Sequence, residues 1–293
     1  MSVWLIGNQG MLGAEVQTLL NENKAHYLSS DQEVDIGDKT ALQAYVREHH
    51  RNKLEWIINC SGYTAVDQAE DEPEQAFRIN AEGVRNIAET AKTLDAAVIH
   101  ISTDYVFAGD KRSAYREEDP TTPIGAYAKS KLQGEQYVQD TLTKYHILRT
   151  AWLYGSRGNN FVRTMLRLFQ ERDTVQVVSD QWGSPTYARD LAGMILHIIK
   201  TDKREYRIYH YTNEGKTNWH GFAEEIYRQA RRIGLLTREV RIMPITTEQY
   251  PTRAKRPKYS YLSKEKIQKA FGISIRSWQE ALQECIAELG KNA

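Results

Sequence analysis

Short apolar runs alternate with segments of helical periodicity through the first half of the chain. The runs at 56–60, 97–102 and 145–149 have the length of buried strands, and residues 77–94 have the spacing of a helix. A further apolar run at 3–6 is followed by apolar positions of helical spacing. Because strands and helices alternate in this way, the pattern predicts an α/β fold with a doubly wound parallel sheet covered on both faces.

The second half of the chain has a mixed pattern, which predicts two structural units. Some segments within 175–212 should complete the sheet of a first domain over residues 1–152. The remainder, residues 153–174 and 213–293, should form mainly a smaller C-terminal lobe. The elements predicted in this half are helices at 161–170, 191–199 and 278–289 and strands at 175–178 and 206–211.

Composition narrows the class of protein. A chain of 293 residues can bury a large core, and its net charge of +1 gives no electrostatic reason to expect a nucleic acid or a membrane surface as partner. The sequence shows no long apolar run, and we expect that the chain carries no leader peptide and that Cys60 and Cys285 are reduced thiols. These features predict a cytoplasmic enzyme.

The apolar run at 3–6 leads directly into a glycine-rich turn. Glycines allow positive φ and close approach of the backbone, and the start of the following helix attracts a pyrophosphate. The spacing is Gly-x-x-Gly-x-x-Gly, which differs from the Gly-x-Gly-x-x-Gly of many dinucleotide folds. The turn therefore predicts a nucleotide-binding site that includes Gly7, Gly10, Met11, Leu12 and Gly13.

Polar side chains follow the predicted strand at 97–102. Ser102, Thr103 and Asp104 come where this strand ends. In an open parallel sheet the ligand lies beyond the carboxyl ends of the strands, so all three side chains should face the cleft. Hydroxyls at this position can bind an oxygen of a substrate.

Tyr127 and Lys131 are one helical turn apart, which places a phenol and an ammonium group on one face of a helix. A nearby positive charge favours the phenolate and lowers the pKa of a tyrosine. The pair therefore predicts that Tyr127 is a general acid whose pKa is lowered by Lys131.

These motifs resemble those of the extended short-chain dehydrogenase/reductase family. The resemblance spans nearly the whole chain and implies a Rossmann-like NAD(P)-binding domain over 1–152 with a substrate-binding C-terminal lobe. It rests on the glycine turn, the Tyr127-Lys131 pair and the runs at 64–70, 102–107, 149–155, 158–161, 180–186 and 256–257.

The finer resemblance is to the branch that reduces the 4-keto group of dTDP-4-dehydro-L-rhamnose to give dTDP-L-rhamnose, in nucleotide-sugar and cell-surface polysaccharide biosynthesis. It implies that Tyr127 protonates the developing alkoxide and that Thr103 hydrogen-bonds the ketone oxygen. Tyr127 and Lys131 would also contact the coenzyme, where Lys131 would tune Tyr127 and hold the nicotinamide ribose. The substrate contacts implied by the resemblance are Thr103, Asp104, Trp152, Arg253 and Arg256.

The coenzyme could be NADPH or NADH. Ser30 and Asp31 lie at about the distance from the glycine turn where a dinucleotide fold contacts the adenosine ribose. Asp31 would favour the 2′-hydroxyl of NADH, because no Arg or Lys lies within this turn; alternatively, Asp31 points to water. The resemblance adds an adenine-binding pair, Asp35 and Ile36, and a nicotinamide-side turn, Gly62, Tyr63 and Thr64.

A metal site finds little support in the sequence. Glu15 matches a position that some family members use for Mg²⁺ at a dimer interface, but Arg189 lies near where a second carboxylate would be expected. We therefore interpret Glu15 as a glutamate on a helix surface and expect no metal, with Mg²⁺ as the alternative. The chain should be a monomer or a homodimer.

Three other functions stay open. A dehydratase of this fold has Glu directly after Thr-Asp, where this chain has Tyr105. A nucleotide-sugar epimerase would not consume the reduced coenzyme stoichiometrically. A nonenzymatic regulatory subunit would bind nucleotide without turnover, although the presence of Thr103, Tyr127 and Lys131 argues against it.

Overall fold

The computed structural model describes residues 2–49, 53–201, 203 and 205–291; residues 1, 50–52, 202, 204, 292 and 293, which the predicted domain boundaries include, lie outside the described residues. The helices are α1 Met11–Glu22, α2 Lys39–His49, α3 Pro73–Phe77, α4 Val84–Leu94, α5 Gly125–Thr141, α6 Phe161–Glu171, α7 Ala188–Thr201, α8 Trp219–Arg232, α9 Glu265–Phe271 and α10 Trp278–Lys291. The strands are β1 Ser2–Ile6, β2 His26–Ser30, β3 Trp56–Asn59, β4 Ala97–Thr103, β5 Tyr145–Thr150, β6 Leu153–Tyr154, β7 Thr174–Val178, β8 Trp182–Gly183, β9 Thr186–Tyr187, β10 Arg207–His210, β11 Thr217–Asn218 and β12 Arg241–Ile245.

A six-stranded parallel sheet forms the centre of the fold. Its strand order is β10-β5-β4-β3-β1-β2, so the chain winds outward in both directions from the junction of β1 and β3. This confirms the predicted doubly wound sheet. In such sheets ligands bind beyond the carboxyl ends of the strands, near the point where the winding reverses.

The two faces of the sheet have separate apolar cores, because successive strand residues point to opposite sides. On one face Val3 and Leu5 of β1 pack with α1, α7 and α9. On the other face Trp4 and Ile6 pack with α2, α4 and α5. The near-continuous apolar strands of the sequence are explained by this burial on both faces.

A third core lies in the C-terminal lobe. It joins α6, α8, α10 and β7, with Phe169, Phe222 and Trp278 buried at its centre. The short pairs β7-β12, β6-β9 and β8-β11 extend this lobe, while β10 returns to the edge of the central sheet. The exact division between the two units stays a prediction.

The predicted helix over residues 77–94 is interrupted by a π-helical segment, Arg78–Gly83. The side chain of Asn80 on this segment is fully buried, where it accepts from the Tyr63 amide at 2.9 Å and donates to the Tyr63 carbonyl at 3.0 Å. π-Helical turns often occur at functional sites. Here the wider turn ties the helix to the loop that follows β3.

No helix in the parts of the chain that the structure describes has the length and the apolar character needed to cross a membrane.

Candidate active site

The glycine turn between β1 and α1 is held against the end of β2. Gly7 has a φ of +82°, and its amide donates to the Ser30 carbonyl at 2.7 Å. A Cβ on Gly13 would lie 1.9 Å from the Gly7 carbonyl oxygen. The fold of the turn therefore requires glycine at both positions, and leaves backbone exposed at the start of α1.

A cavity of about 740 Å³ lies beside this turn, and we call it the glycine groove. Its volume and its backbone lining at the start of a helix fit an elongated dinucleotide. Gly62 brings the groove close to Lys131, since a Cβ on Gly62 would lie 3.8 Å from the lysine Nζ. Residues that line the groove include Gly7, Gln9, Gly10, Asp31, Gln32, Asp35, Ile36, Cys60, Ser61, Gly62 and Arg78.

Other predicted cofactor residues lie around the groove without lining it. Leu12 is buried beneath the turn, and Met11 lies near Gly155. Tyr63 is held through its backbone by Asn80, while Thr64 is exposed beyond it.

Ser30 has a supporting position that differs from the predicted one. Its side chain is fully buried and its hydroxyl accepts from the Trp4 indole at 3.0 Å. The Ser30 carbonyl accepts from the Gly7 amide, so this residue supports the glycine turn through its backbone. Its hydroxyl is buried against Trp4 and is not available to a ligand.

The sequence analysis missed Arg78, which the π-helical segment brings into the glycine groove. Its guanidinium forms an ion pair with Asp35. The only local signal is a basic residue before a buried helical asparagine, and nothing in that pattern indicates a contact with Asp35, which lies 43 residues away along the chain.

Thr103, Tyr127 and Lys131 come together where β4 ends against α5. The Thr103 hydroxyl hydrogen-bonds with the Tyr127 phenol and accepts from the Tyr105 amide at 3.2 Å. The Lys131 ammonium is buried and donates to the Ile101 carbonyl at 2.6 Å. The arrangement can bind a carbonyl oxygen and deliver a proton to it.

The predicted lowering of the Tyr127 pKa is wrong for this structure. Burial of the phenol and the nearby Asp104 carboxylate raise the pKa of Tyr127 to about 12, against the Thr103 hydrogen bond. The Lys131 ammonium donates to the Ile101 carbonyl and does not offset the burial of the Tyr127 phenol. Burial of Lys131 itself lowers its own pKa to about 8. Tyr127 is therefore a protonated donor at neutral pH.

Ser102 does not face the cleft, contrary to prediction. Strand alternation turns it away from Thr103, and its hydroxyl donates to Glu135 at 2.5 Å. Glu135 also pairs with Arg149 at 2.7 Å, and both are buried. This buried network lies one helical turn beyond Lys131 and anchors α5 to the sheet.

Asp104 is only 2% exposed, and its side chain contacts neighbouring residues and lines neither cavity. It accepts from the Thr103 hydroxyl at 3.0 Å. Burial raises the pKa of Asp104 to about 6, although hydrogen bonds from Ser260 and Thr103 oppose the rise. The next residue, Tyr105, packs edge-on against Tyr127 with ring centres 5.5 Å apart.

Trp152 lies at the junction with the C-terminal lobe. It has a φ of +48°, unusual for a residue with a Cβ, and its ring stacks on Trp219 at 3.7 Å between centres. The sequence analysis missed Trp219, which begins α8 far along the chain. Gly183 also lies against the Trp152 ring, since a Cβ there would come within 2.8 Å of a ring atom.

A second cavity of about 690 Å³ opens next to this stack, and we call it the aromatic cavity. Phe161, Trp219, Tyr250 and Arg256 are among its lining residues. The Arg256 guanidinium donates two hydrogen bonds to the Asp67 carboxylate, of 2.6 and 3.0 Å. The cavity therefore combines apolar surface with the guanidinium groups of Arg167, Arg172 and Arg256, which suits an anionic ligand with flat rings.

Arg253 lies outside the lining of the aromatic cavity. Its side chain is 68% exposed and forms an ion pair with Asp71. The pairs Arg253-Asp71 and Arg256-Asp67 tie the loop at 251–257 to the segment that follows β3.

The residues around Glu15 do not fit a metal site. Glu15 is buried, so its interpretation as a helix-surface residue is wrong, and its carboxylate lies 3.5 Å from the Arg189 guanidinium. Arg189 also donates to Glu22 at 2.9 Å. A guanidinium in this place supplies the positive charge that Mg²⁺ would otherwise bring. Within the described ranges, no group of three His, Cys, Asp or Glu side chains could hold a metal ion.

Comparisons with known proteins agree with this geometry. Residues 1–291 match the family described as the RmlD substrate binding domain. The chain is 41% identical over 285 residues to the dTDP-4-dehydrorhamnose reductase of Aggregatibacter actinomycetemcomitans, which covers 95% of this chain and 96% of that protein.

Two solved structures extend the likeness to the fold. A dTDP-4-dehydrorhamnose reductase of Clostridium acetobutylicum has a TM-score of 0.92 at 40% identity, covering 99% of this chain and 100% of that one. The dTDP-4-dehydrorhamnose reductase of Bacillus anthracis, solved in complex with NADP, has a TM-score of 0.91 at 40% identity, covering 98% and 99%.

Proposed function

We infer the function of this chain from the premise that it belongs to the family of the RmlD substrate binding domain. We propose that it is an oxidoreductase that reduces the 4-keto group of dTDP-4-dehydro-L-rhamnose with NADPH or NADH, giving dTDP-L-rhamnose. We also propose that the protein is cytoplasmic and that it is a monomer or a homodimer.

The observation that carries this proposal is the set of contacts that connects Tyr127 and its neighbours to the two cavities. Gly62 of the glycine groove lies beside Lys131, one helical turn from Tyr127. Arg256 of the aromatic cavity lies close enough to Tyr105 to affect its pKa, and Tyr105 packs on Tyr127. A dinucleotide in one cavity and a nucleotide sugar in the other would meet at the Thr103-Tyr127 pair.

A bound reduced nicotinamide coenzyme would supply the hydride that adds to the ketone carbon. Thr103 would hydrogen-bond the ketone oxygen, and Tyr127, protonated because burial raises its pKa, would give its proton to the alkoxide. Lys131 would hold the nicotinamide ribose beside Gly62. Arg256 would face the diphosphate while Asp67 fixes its guanidinium.

The test uses the full chain with NADPH or NADH and enzymatically generated dTDP-4-dehydro-L-rhamnose. We expect one coenzyme to be oxidised for each keto sugar and the product to carry two additional hydrogens by mass spectrometry. Binding of a coenzyme without any oxidation would favour a regulatory subunit. Loss of water from dTDP-glucose without net coenzyme consumption would favour a dehydratase.

A further inference from the structure

The adenosine end of the glycine groove carries an unusual charge balance. Asp31, Asp35 and Arg78 are the charged side chains among the described residues that line it. Two carboxylates therefore face one guanidinium. This balance matters because NADPH differs from NADH only by a phosphate on the adenosine ribose.

Asp31 is fixed in place by the backbone. One of its carboxylate oxygens accepts from the Gln9 amide at 2.9 Å, and the other accepts from the Gln32 amide at 3.0 Å. Gln9 belongs to the glycine turn, so the carboxylate lies directly beside the turn that would hold a pyrophosphate. Each oxygen keeps a further lone pair that could accept from a ribose hydroxyl.

The one guanidinium in this lining is already engaged. Arg78 pairs with Asp35, whose other oxygen accepts from the Gly37 amide at 2.8 Å. Both side chains of the pair are about half exposed. A phosphate arriving on the ribose would have to draw Arg78 away from Asp35 while it approached the fixed carboxylate of Asp31.

We propose that this chain prefers NADH to NADPH and that Asp31, fixed between the glycine turn and Gln32, is the residue that discriminates between them. The inference rests on the proposed function for the use of a nicotinamide coenzyme. A 2′-hydroxyl donates to a fixed carboxylate, as acidic residues after the second strand do in dinucleotide folds. A 2′-phosphate meets like charge without a free cation, and like charges this close repel even near a surface.

The first experiment measures the dissociation constants of NADH and NADPH for the full chain by calorimetry without any sugar. We expect NADH to bind at least about tenfold more tightly. In Asp31→Asn that ratio should fall about tenfold or more, mainly because NADPH binds better. Equal or tighter binding of NADPH by the native chain would overturn the proposal, as would an unchanged ratio in Asp31→Asn.

Arg78 and Asp35 supply a second, independent pair of variants. Asp35→Asn should free Arg78 and improve NADPH binding about threefold, whereas the double variant with Arg78→Gln should lose that gain. Asp38→Asn is the matched control, because Asp38 caps the start of α2 and does not line the groove. An equal gain in the control would contradict the assignment.

The binding measurement also separates this proposal from the proposed function. A chain that binds NADH selectively but reduces no keto sugar would contradict the reductase function while supporting the coenzyme preference. A chain that reduces the sugar equally well with both coenzymes, and binds both equally, would support the reductase function and contradict the coenzyme preference.

Discussion

The glycine groove and the aromatic cavity differ in the groups that form their walls. Backbone forms much of the groove wall, at Gly7, Gly10 and Gly62. Side chains form the cavity wall, and two of them are held from outside the lining: Trp219 stacks on Trp152, and Arg256 pairs with Asp67.

The difference shows how the two sites could change independently. A backbone wall offers the same amide donors whatever the neighbouring side chains are, so it suits the invariant phosphates of a coenzyme. A wall of rings and charges depends on each side chain, so it suits a ligand that must be distinguished from similar ones. The two regions should therefore respond to different substitutions.

Tyr127→Phe should have the largest effect, because Tyr127 belongs to neither wall. Loss of the phenolic proton donor should lower turnover about 10² to 10⁴-fold while the affinities for coenzyme and dTDP stay within about twofold. Steady-state kinetics and calorimetry would measure the two quantities. Tyr137→Phe is the matched control on the same helix, since its hydroxyl donates to Glu82 at 3.2 Å away from the site. Near-normal turnover of Tyr127→Phe would rule out the assigned proton donor.

Gly13→Ala should weaken ligand binding in the glycine groove without affecting the aromatic cavity. The new methyl group would lie 1.9 Å from the Gly7 carbonyl oxygen, so the turn must open. We expect coenzyme affinity to fall about tenfold to hundredfold, since overpacking of this kind costs about 1–3 kcal/mol. The affinity for dTDP should hardly change.

Gly193→Ala provides the control for that substitution. A Cβ on Gly193 in α7 would meet nothing within 4 Å, so this change should leave coenzyme binding intact and stabilise the helix by about 0.5–1 kcal/mol. If both glycine variants lost coenzyme affinity equally, the close contact at Gly13 would not be the cause.

These two regions also differ in how far the sequence predicts them. The glycine groove is visible in the sequence because a backbone wall requires glycine at fixed spacing, as at Gly7 and Gly13. Arg78 escaped prediction because the π-helical turn that places it, and the ion pair with Asp35, arise only from tertiary packing. Trp219 escaped for the same reason, since its contact with Trp152 joins distant segments.

Electrostatic details were the least predictable. Helical spacing correctly placed Tyr127 and Lys131 on one face of α5, but the pKa of Tyr127 depends on burial, which no local pattern reports. Likewise, the apolar run at the end of β4 gave no indication that Ser102 would bind the buried Glu135. The alternation of side chains along a strand does predict that Ser102 and Thr103 point to opposite sides, and the expectation that both face the cleft did not take this into account.

Acid should weaken the sheet domain more than the C-terminal lobe. Burial lowers the pKa of His146 to about 4 and lowers those of His100 and His210 well below their usual value; all three lie on the central sheet. Since the unfolded chain binds protons first, stability is lost as pH falls below about 6.5. For His146 the loss should be about 2 kcal/mol at pH 5.

Urea unfolding at pH 7 and pH 5 would measure this loss. His146→Phe should flatten the pH dependence, because a neutral ring can keep the stacking on Trp56 without a proton to bind. His220→Gln is the control, since this histidine lies in the lobe beside Glu224 at 3.4 Å. A pH dependence that His146→Phe leaves unchanged would exclude His146 as its source.

Arg256→Gln should have the smallest effect of the four predicted changes, and it should weaken ligand binding in the aromatic cavity without affecting the glycine groove. Charge-assisted hydrogen bonds contribute about 1.5–3 kcal/mol when they are fully made, and Arg256 is partly exposed, so dTDP affinity should fall about tenfold. Asp67→Asn should give a smaller loss in the same direction, because the guanidinium stays but loses the carboxylate that orients it. Lys258→Gln removes an exposed cation that lies 3.5 Å from Glu248 and should change neither affinity. Calorimetry with dTDP and with coenzyme would compare the three variants. An equal fall of both affinities in Arg256→Gln would mean that the groove and the cavity act as one site.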